Sequence, residues 1–267
     1  METINMKAIV VTGAAGGMGE EICKRLAADG YKVYGLDCRD FSLENVTNVR
    51  CDIRCEEDVK RAVERIAESG GEIYGLIHAA GVYDLDSLVE MDEERFKRIF
   101  DINLFGVYRV TKAMMPYLRQ GSRVVIVTSE LAPLDPLPFT GIYGITKTAL
   151  EKFAFSLRME LNLVGISVSV IRPGAVRTGL LGDSTAALDR FCEKTKIYKC
   201  NAERFKRIVE SVEAKNVHPK RVAALAERAL LARRPRYVYN LNRNPLLRIL
   251  SALPQRLQVM IIGLILK

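Results

Sequence analysis

Tyr143 and Lys147 stand four residues apart in GIYGITKTALEKF, residues 141 to 153. Ala149, Leu150, Phe153 and Ala154 follow at helical spacing, so the segment reads as a helix on which positions i and i+4 share a face. A phenol, with a pKa of about 10, is a poor base at neutral pH, but an ammonium beside it favours the phenolate. Such a pair could take a proton from an alcohol or return it to a ketone. The plainer reading packs Tyr143 and leaves Lys147 in water, so the pair needs support from the rest of the chain.

The elements around it alternate. Apolar runs at 8–13 (AIVVTG), 32–37 (KVYGLD), 73–81 (IYGLIHAAG), 123–129 (RVVIVTS) and 166–174 (ISVSVIRPG) are separated by helical patterns at 19–30, 51–70, about 92–118 and the segment carrying Tyr143. The runs are nearly continuous in apolar residues, as strands are when helices cover both faces of a parallel sheet. This spells an α/β fold, a doubly wound Rossmann-type parallel sheet in a single domain. Such sheets bind ligands beyond the carboxyl ends of their strands, so the residues after each run matter most.

After the first run stands TGAAGGMG, which places Gly13, Gly17 and Gly19 at GxxxGxG spacing at the start of a helix. Glycines allow tight turning and close backbone approach, while a helix start offers N–H groups and partial positive charge to a pyrophosphate. Between a first strand and a first helix this points to a dinucleotide. The second run ends in Asp37, whose carboxylate suits a ribose diol and repels a 2′-phosphate, favouring NAD over NADP; Arg39, two residues on, could reach toward such a phosphate.

With these residues assembled, the chain resembles the short-chain dehydrogenase/reductase family over roughly residues 6 to 240. The matching segments are TGAAGGMG (12–19), CDI (51–53), HAAG (78–81), DINLFG (101–106), Ser129 in VIVTS, Tyr143 with Lys147, and RPGAVRT (172–178). The resemblance implies a catalytic set of Asn103, Ser129, Tyr143 and Lys147. In that set Tyr143 would be the acid/base, and Lys147 would lower its pKa and bind the nicotinamide ribose. Ser129 would bond the substrate oxygen, and Asn103 would hold a water. For the cofactor it implies Gly13, Ala15, Gly17, Met18 and Gly19 in the turn, Asp37 at the ribose, Asp52 and Ile53 at the adenine, Ala79 and Gly81 along the dinucleotide, and Val176 and Thr178 near the nicotinamide, beside Tyr143 and Lys147. Two positions depart from the family pattern: Ala79 stands where Asn is usual, and Glu130 follows Ser129, either pairing with a substrate donor or, the reading preferred here, facing solvent.

Composition narrows the rest. Two His (His78, His218) and six Cys without a CxxC pair argue against a histidine catalyst and a zinc site, and no metal is expected. The opening METINMKAIVVTG holds no apolar run of signal-peptide length, which with the thiols suggests a cytoplasmic protein. The net charge of +8 is a property of one end: from His218 onward ten Lys or Arg face one acid, Glu227. No nucleic-acid motif accompanies them, so nucleic acid is not an expected partner.

Residues 1–240 therefore form the dinucleotide-binding and catalytic domain, with a lid at about 177–215 containing Leu180, Leu181, Leu188, Phe191, Ile197, Tyr198 and Phe205. Residues 241–267 form a basic amphipathic helical extension on which Leu246, Leu250, Leu253, Leu257, Met260 and Leu264 step by four and three, with a break near Pro254. It could cover the site or a subunit interface, lie on an anionic membrane surface as a peripheral contact, or hold an anionic substrate group.

Stretches such as LFGVYRVTKAMMPYLRQGSRVVIVTS resemble the retinol and hydroxysteroid dehydrogenase subset. The expectation is an NAD-dependent oxidoreductase, a homodimer or homotetramer, acting on a lipophilic secondary alcohol or ketone such as a hydroxysteroid or bile acid. The alternatives are a 3-oxoacyl reductase for carrier-bound chains and a non-catalytic NAD-binding sensor or membrane-surface scaffold.

Overall fold

The computed structural model describes residues 7–68 and 72–267, except for the side chains of 180, 181, 183 and 213. The leading METINM lies outside the described residues. Seven strands, β1 (Ala8–Thr12), β2 (Lys32–Asp37), β3 (Val46–Arg50), β4 (Ile73–His78), β5 (Leu118–Val127), β6 (Ser167–Pro173) and β7 (Val238–Leu241), pair in the order β3-β2-β1-β4-β5-β6-β7. Every pairing is parallel. The order reverses between β1 and β4, and a doubly wound sheet opens a crevice at that point.

Successive strand residues serve opposite faces, which is why the runs are apolar throughout. Val10, Leu76, Ile126, Val168 and Val170 pack against Val59, Val63 and Ile66 of α2 (Glu56–Glu68), Val107, Val110 and Met114 of α4 (Gly106–Met114), and Leu150, Ala154 and Leu161 of α5 (Gly141–Asn162). Ile9, Val11, Ile77, Val125 and Ile171 pack on the other side against Ile22, Cys23 and Leu26 of α1 (Gly17–Ala28) and Val222, Ala226 and Leu230 of α8 (Lys220–Leu231). Two buried layers thus clamp the sheet and fix where its strand ends lie.

The edge strands β3 and β7 do not appear in the sequence reading, because VTNVR has one buried residue among half-solvated ones and VYNL is only four long. The helix expected over about 92–118 is interrupted. α3 (Glu93–Phe100) passes through a π-helical turn, Asp101–Phe105, into α4, and a 3₁₀ turn at Met115–Tyr117 leads straight into β5. The lid consists of α6 (Gly179–Lys194) and α7 (Lys199–Glu213). The extension breaks at the expected proline into α9 (Pro245–Ser251) and α10 (Gln255–Leu266), since Pro254 has no N–H to continue a helix.

Candidate active site

The first strand hands over to α1 through a turn whose backbone leaves no room for a Cβ at Gly13 or at Gly19, where it would lie 2.1 Å from the Gly13 carbonyl oxygen. Gly13 has φ 74°, and a Cβ there would lie 2.6 Å from the Ala80 backbone nitrogen, so β1 and β4 approach as near as backbones can. A Cβ on Gly17 would lie 2.9 Å from Thr178 Cγ2, filling the crevice between the turn and the lid root. α1 opens at Gly16, which brings no side chain to cap its first N–H groups. A cavity of about 340 Å³ runs along this turn, lined by Gly13, Ala15, Gly17, Met18, Gly19, Asp37, Asp52, Ile53, Ala79, Gly81 and Thr178. Its open helix start and glycine floor fit a pyrophosphate.

At the far end of β2, Asp37 is buried and its carboxylate is engaged on both oxygens. Oδ2 accepts from the Ala15 N–H at 3.0 Å, and Oδ1 accepts from the Arg39 backbone N–H at 3.0 Å and its Nε at 3.1 Å. Asp37 therefore also braces the glycine turn, and Arg39 lies over it. Asp52 is held below the usual carboxylate range, chiefly by hydrogen bonding from the Arg54 side chain.

A second cavity, about 210 Å³, adjoins the first through Met18, Ala79, Gly81, Val82 and Thr178. Ser129, Tyr143, Lys147 and Val176 line it. The Ser129 hydroxyl stands beside the Tyr143 phenol on this wall, and its hydrogen bonding acts to lower the phenol's pKa. Lys147 Nζ donates to the Val127 carbonyl at 3.3 Å and lies 5.7 Å from the Tyr143 ring centre. Asn103 is wholly buried behind this wall. Its Nδ2 donates to the Val82 carbonyl at 3.0 Å and to Thr146 Oγ1 at 3.1 Å, while its Oδ1 accepts from the Val82 N–H at 2.9 Å. A Cβ on Gly81 would stand 3.3 Å from both Asn103 Oδ1 and Lys147 Nζ, so the two side chains converge on that glycine. The π-helical turn is what directs Asn103 inward: one extra residue per turn rotates it out of the α-helical register of its neighbours.

Burial pushes the Tyr143 phenol up to about 12; the Ser129 hydrogen bond counters this and the Glu130 charge adds to it. Burial pulls Lys147 down to about 8. In the free protein desolvation is the dominant influence on the phenol and holds it protonated at neutral pH.

Glu130 does not face solvent. It is buried, its Oε2 accepts from the Asn244 N–H at 2.6 Å, and burial raises its carboxyl above the ordinary value. It thereby ties the end of β5 to the start of α9, a link that sequence reading misses because its partner is 114 residues away. Tyr83 is also missed; its ring lies tilted by 53° against that of Tyr143, with centres 4.7 Å apart.

Among the lid residues, Leu188, Phe191 and Phe205 pack around Phe139, whereas Ile197 is exposed. The side chains of Leu180 and Leu181 lie outside the described residues. Of the expected lid residues Phe205 lines the second cavity, and its other apolar walls come from Ile208, Val209 and Val212 of α7, Leu137, and Leu247 of α9. An aliphatic run at helical spacing inside an otherwise charged segment is the trace these residues leave in the sequence.

A doubly wound sheet with a phosphate-binding turn at its switch point, opening into an apolar cavity with a hydroxyl pair and a buried lysine, defines a dinucleotide-dependent α/β oxidoreductase. The family model described as short chain dehydrogenase matches residues 7–189. The chain belongs to that family, whose members use a nicotinamide dinucleotide. It is 29% identical over 220 residues to a 3-ketodihydrosphingosine reductase of Bacteroides thetaiotaomicron, covering 81% of this chain and 80% of that one. It is 30% identical over 196 residues to estradiol 17-beta-dehydrogenase 2 of Mus musculus, covering 67% of this chain but only half of that relative's length. In fold it is similar to ligand-free aldohexose dehydrogenase of Thermoplasma acidophilum, with a TM-score of 0.75 at 21% identity over 94% of this chain and 97% of that one.

Proposed function

We propose that the protein interconverts a secondary alcohol and a ketone on a lipophilic molecule, with NAD as the hydride carrier. The observation that carries this reading is the Ser129–Tyr143 hydroxyl pair on the wall of an apolar cavity that opens onto the dinucleotide groove. The nicotinamide, when bound, supplies or accepts the hydride. Everything else falls to side chains of the chain. Tyr143, protonated in the free protein, donates its hydroxyl proton to a carbonyl oxygen as that oxygen becomes an alcohol. Ser129 donates a hydrogen bond to the same oxygen and fixes its position, a preorganised dipole in a site shielded from water.

Lys147 is held by the Val127 carbonyl at the end of β5, which sets its ammonium near the phenol and the groove. In the oxidative direction that cation and the positive charge of an oxidised nicotinamide lower the phenol's pKa, and Tyr143 then takes the proton. Asn103 clamps the Val82 backbone and so shapes the floor shared by both cavities.

A lipophilic substrate is supported by the α7 and α9 side chains on the cavity wall and by the lipid ketone and steroid in the names of two relatives. A hydroxysteroid, its oxosteroid, or another lipid secondary alcohol or ketone is the substrate class that fits. The decisive test is Tyr143→Phe, assayed by NADH absorbance against hydroxysteroids, retinoids and 3-hydroxyacyl compounds with NAD and NADP side by side. Turnover on whichever compound the wild type uses should fall by about 10²–10⁴ while NADH binding persists. Near-normal turnover in the variant would remove Tyr143 from the chemistry.

A further inference from the structure

The extension carries two apolar faces, and only one is spent on the protein. Ile262 and Leu266 of α10 join the lid cluster around Phe191 and Phe205, the Leu266 carbonyl accepts from Asn201, and Gln258 reaches Asp135. The opposite face holds Leu257, Met260 and Leu264, which are 41, 54 and 75% exposed and recur at i, i+3 and i+7. On α9, Leu246 and Ile249 are exposed as well. Single exposed aliphatics are ordinary, but five of them on two successive short helices are not.

Its surroundings say what covers it. Exposed Arg248 and Arg256 lie within the same two helices, Lys267 ends the second, and no acid follows Glu227 in the sequence. No helix among the described residues is long and apolar enough to cross a membrane. An apolar face bordered by cations that can extend toward phosphate groups suits the interface of an anionic bilayer. A second copy suits it poorly, because residues 245–267 carry Arg248, Arg256 and Lys267 and no acid, and pairing two such faces would oppose like charges.

We infer that α9 and α10 dock the protein on an anionic lipid surface. The placement has a use that rests on the lipophilic-substrate reading: Leu247, between exposed Leu246 and Arg248, lines the 210 Å³ cavity, so the docked face borders the substrate's way in. A lipid ketone partitioned into the bilayer would then enter without crossing water.

The test uses the full chain sedimented with vesicles of phosphatidylcholine alone and of phosphatidylcholine with phosphatidylglycerol. The wild type should bind the anionic vesicles and release at high salt. A Leu257→Ser, Met260→Ser, Leu264→Ser triple variant should bind them about tenfold less or worse, with its melting temperature and NADH binding retained. Failure of the wild type to bind, or equal binding by the triple variant, would overturn docking. So would a concentration-dependent dimer that the triple variant abolishes, since that face would then belong to a second copy. Vesicle binding needs no substrate, so an enzyme that binds vesicles but turns over no lipid ketone would refute the substrate reading alone.

Discussion

At the residue scale the buried lysine yields a prediction of its own. Unfolded, Lys147 holds its proton to its ordinary value of 10.5; folded, burial releases it near 8. Between those values the unfolded chain binds more protons, so stability rises with pH across that window. Below about pH 8 both states are protonated and the full cost of the buried ammonium is present. Lys147→Met removes that cost. Denaturant unfolding should show the variant's advantage at its largest below about pH 8 and shrinking above it, by at most about 1.4 kcal/mol per pH unit. A constant gap from pH 7 to pH 10 would mean that Lys147 does not titrate in this range. The Tyr143–Lys147 spacing is legible from GIYGITK alone, but the direction of the phenol's shift is not, because desolvation comes from Tyr83, Leu131 and their neighbours, which pack there only in three dimensions.

At the element scale the lid is pinned by two carboxylates from the loop between β4 and α3. Asp84 accepts from Arg190 of α6 at 3.0 Å and from Arg95 at 2.8 Å, which ties the lid to α3. Glu90 accepts from the Thr195 hydroxyl at 2.7 Å and from the Lys196 and Ile197 N–H groups at 2.8 and 3.3 Å. These bonds hold the Glu90 carboxyl below its ordinary range. Glu90 thus caps the corner between α6 and α7, where the chain turns back over the cavity. Glu90→Ala should raise amide exchange at Lys196 and Ile197 by about tenfold and leave β5 protected. Unchanged exchange at those two amides would show that the corner is held by other contacts. None of this is visible in sequence, since acid and amide are 106 residues apart. The π-helical turn is invisible for a different reason: DINLF has nothing in its composition that marks it off from the helices on either side.

For the whole molecule, occupancy of the groove should appear as stability. A ligand that binds only the folded chain stabilises it by about 2.7 kcal/mol at a hundred times its Kd. If NAD is the carrier as proposed, the Asp37 carboxylate at the end of β2 would repel a 2′-phosphate, although Arg39 offsets part of its charge. NADH should therefore raise the melting temperature more than NADPH at equal concentration, and Asp37→Ala should bring the two shifts together. Equal shifts in the wild type would end the NAD preference. The fold that sets these distances follows from the strand order, which puts the glycine turn of β1, the Ala79–Gly81 bend of β4 and the Ser129 end of β5 side by side at one edge of the crevice.

What the amino-acid sequence determined by itself is whatever depends on spacing along the chain: the continuous apolar strands, the glycine turn, Asp37 at a strand end, and a tyrosine and lysine one helical turn apart. Those are local, because backbone geometry converts a count of residues into a direction. Tertiary structure alone decided which apolar face of α10 is buried, that Glu130 turns inward to Asn244, that Asn103 clamps Val82, and that burial raises the phenol above its ordinary value. Each of these depends on burial or on partners distant in sequence, and the cost of removing a polar group from water is settled only when the whole chain has packed.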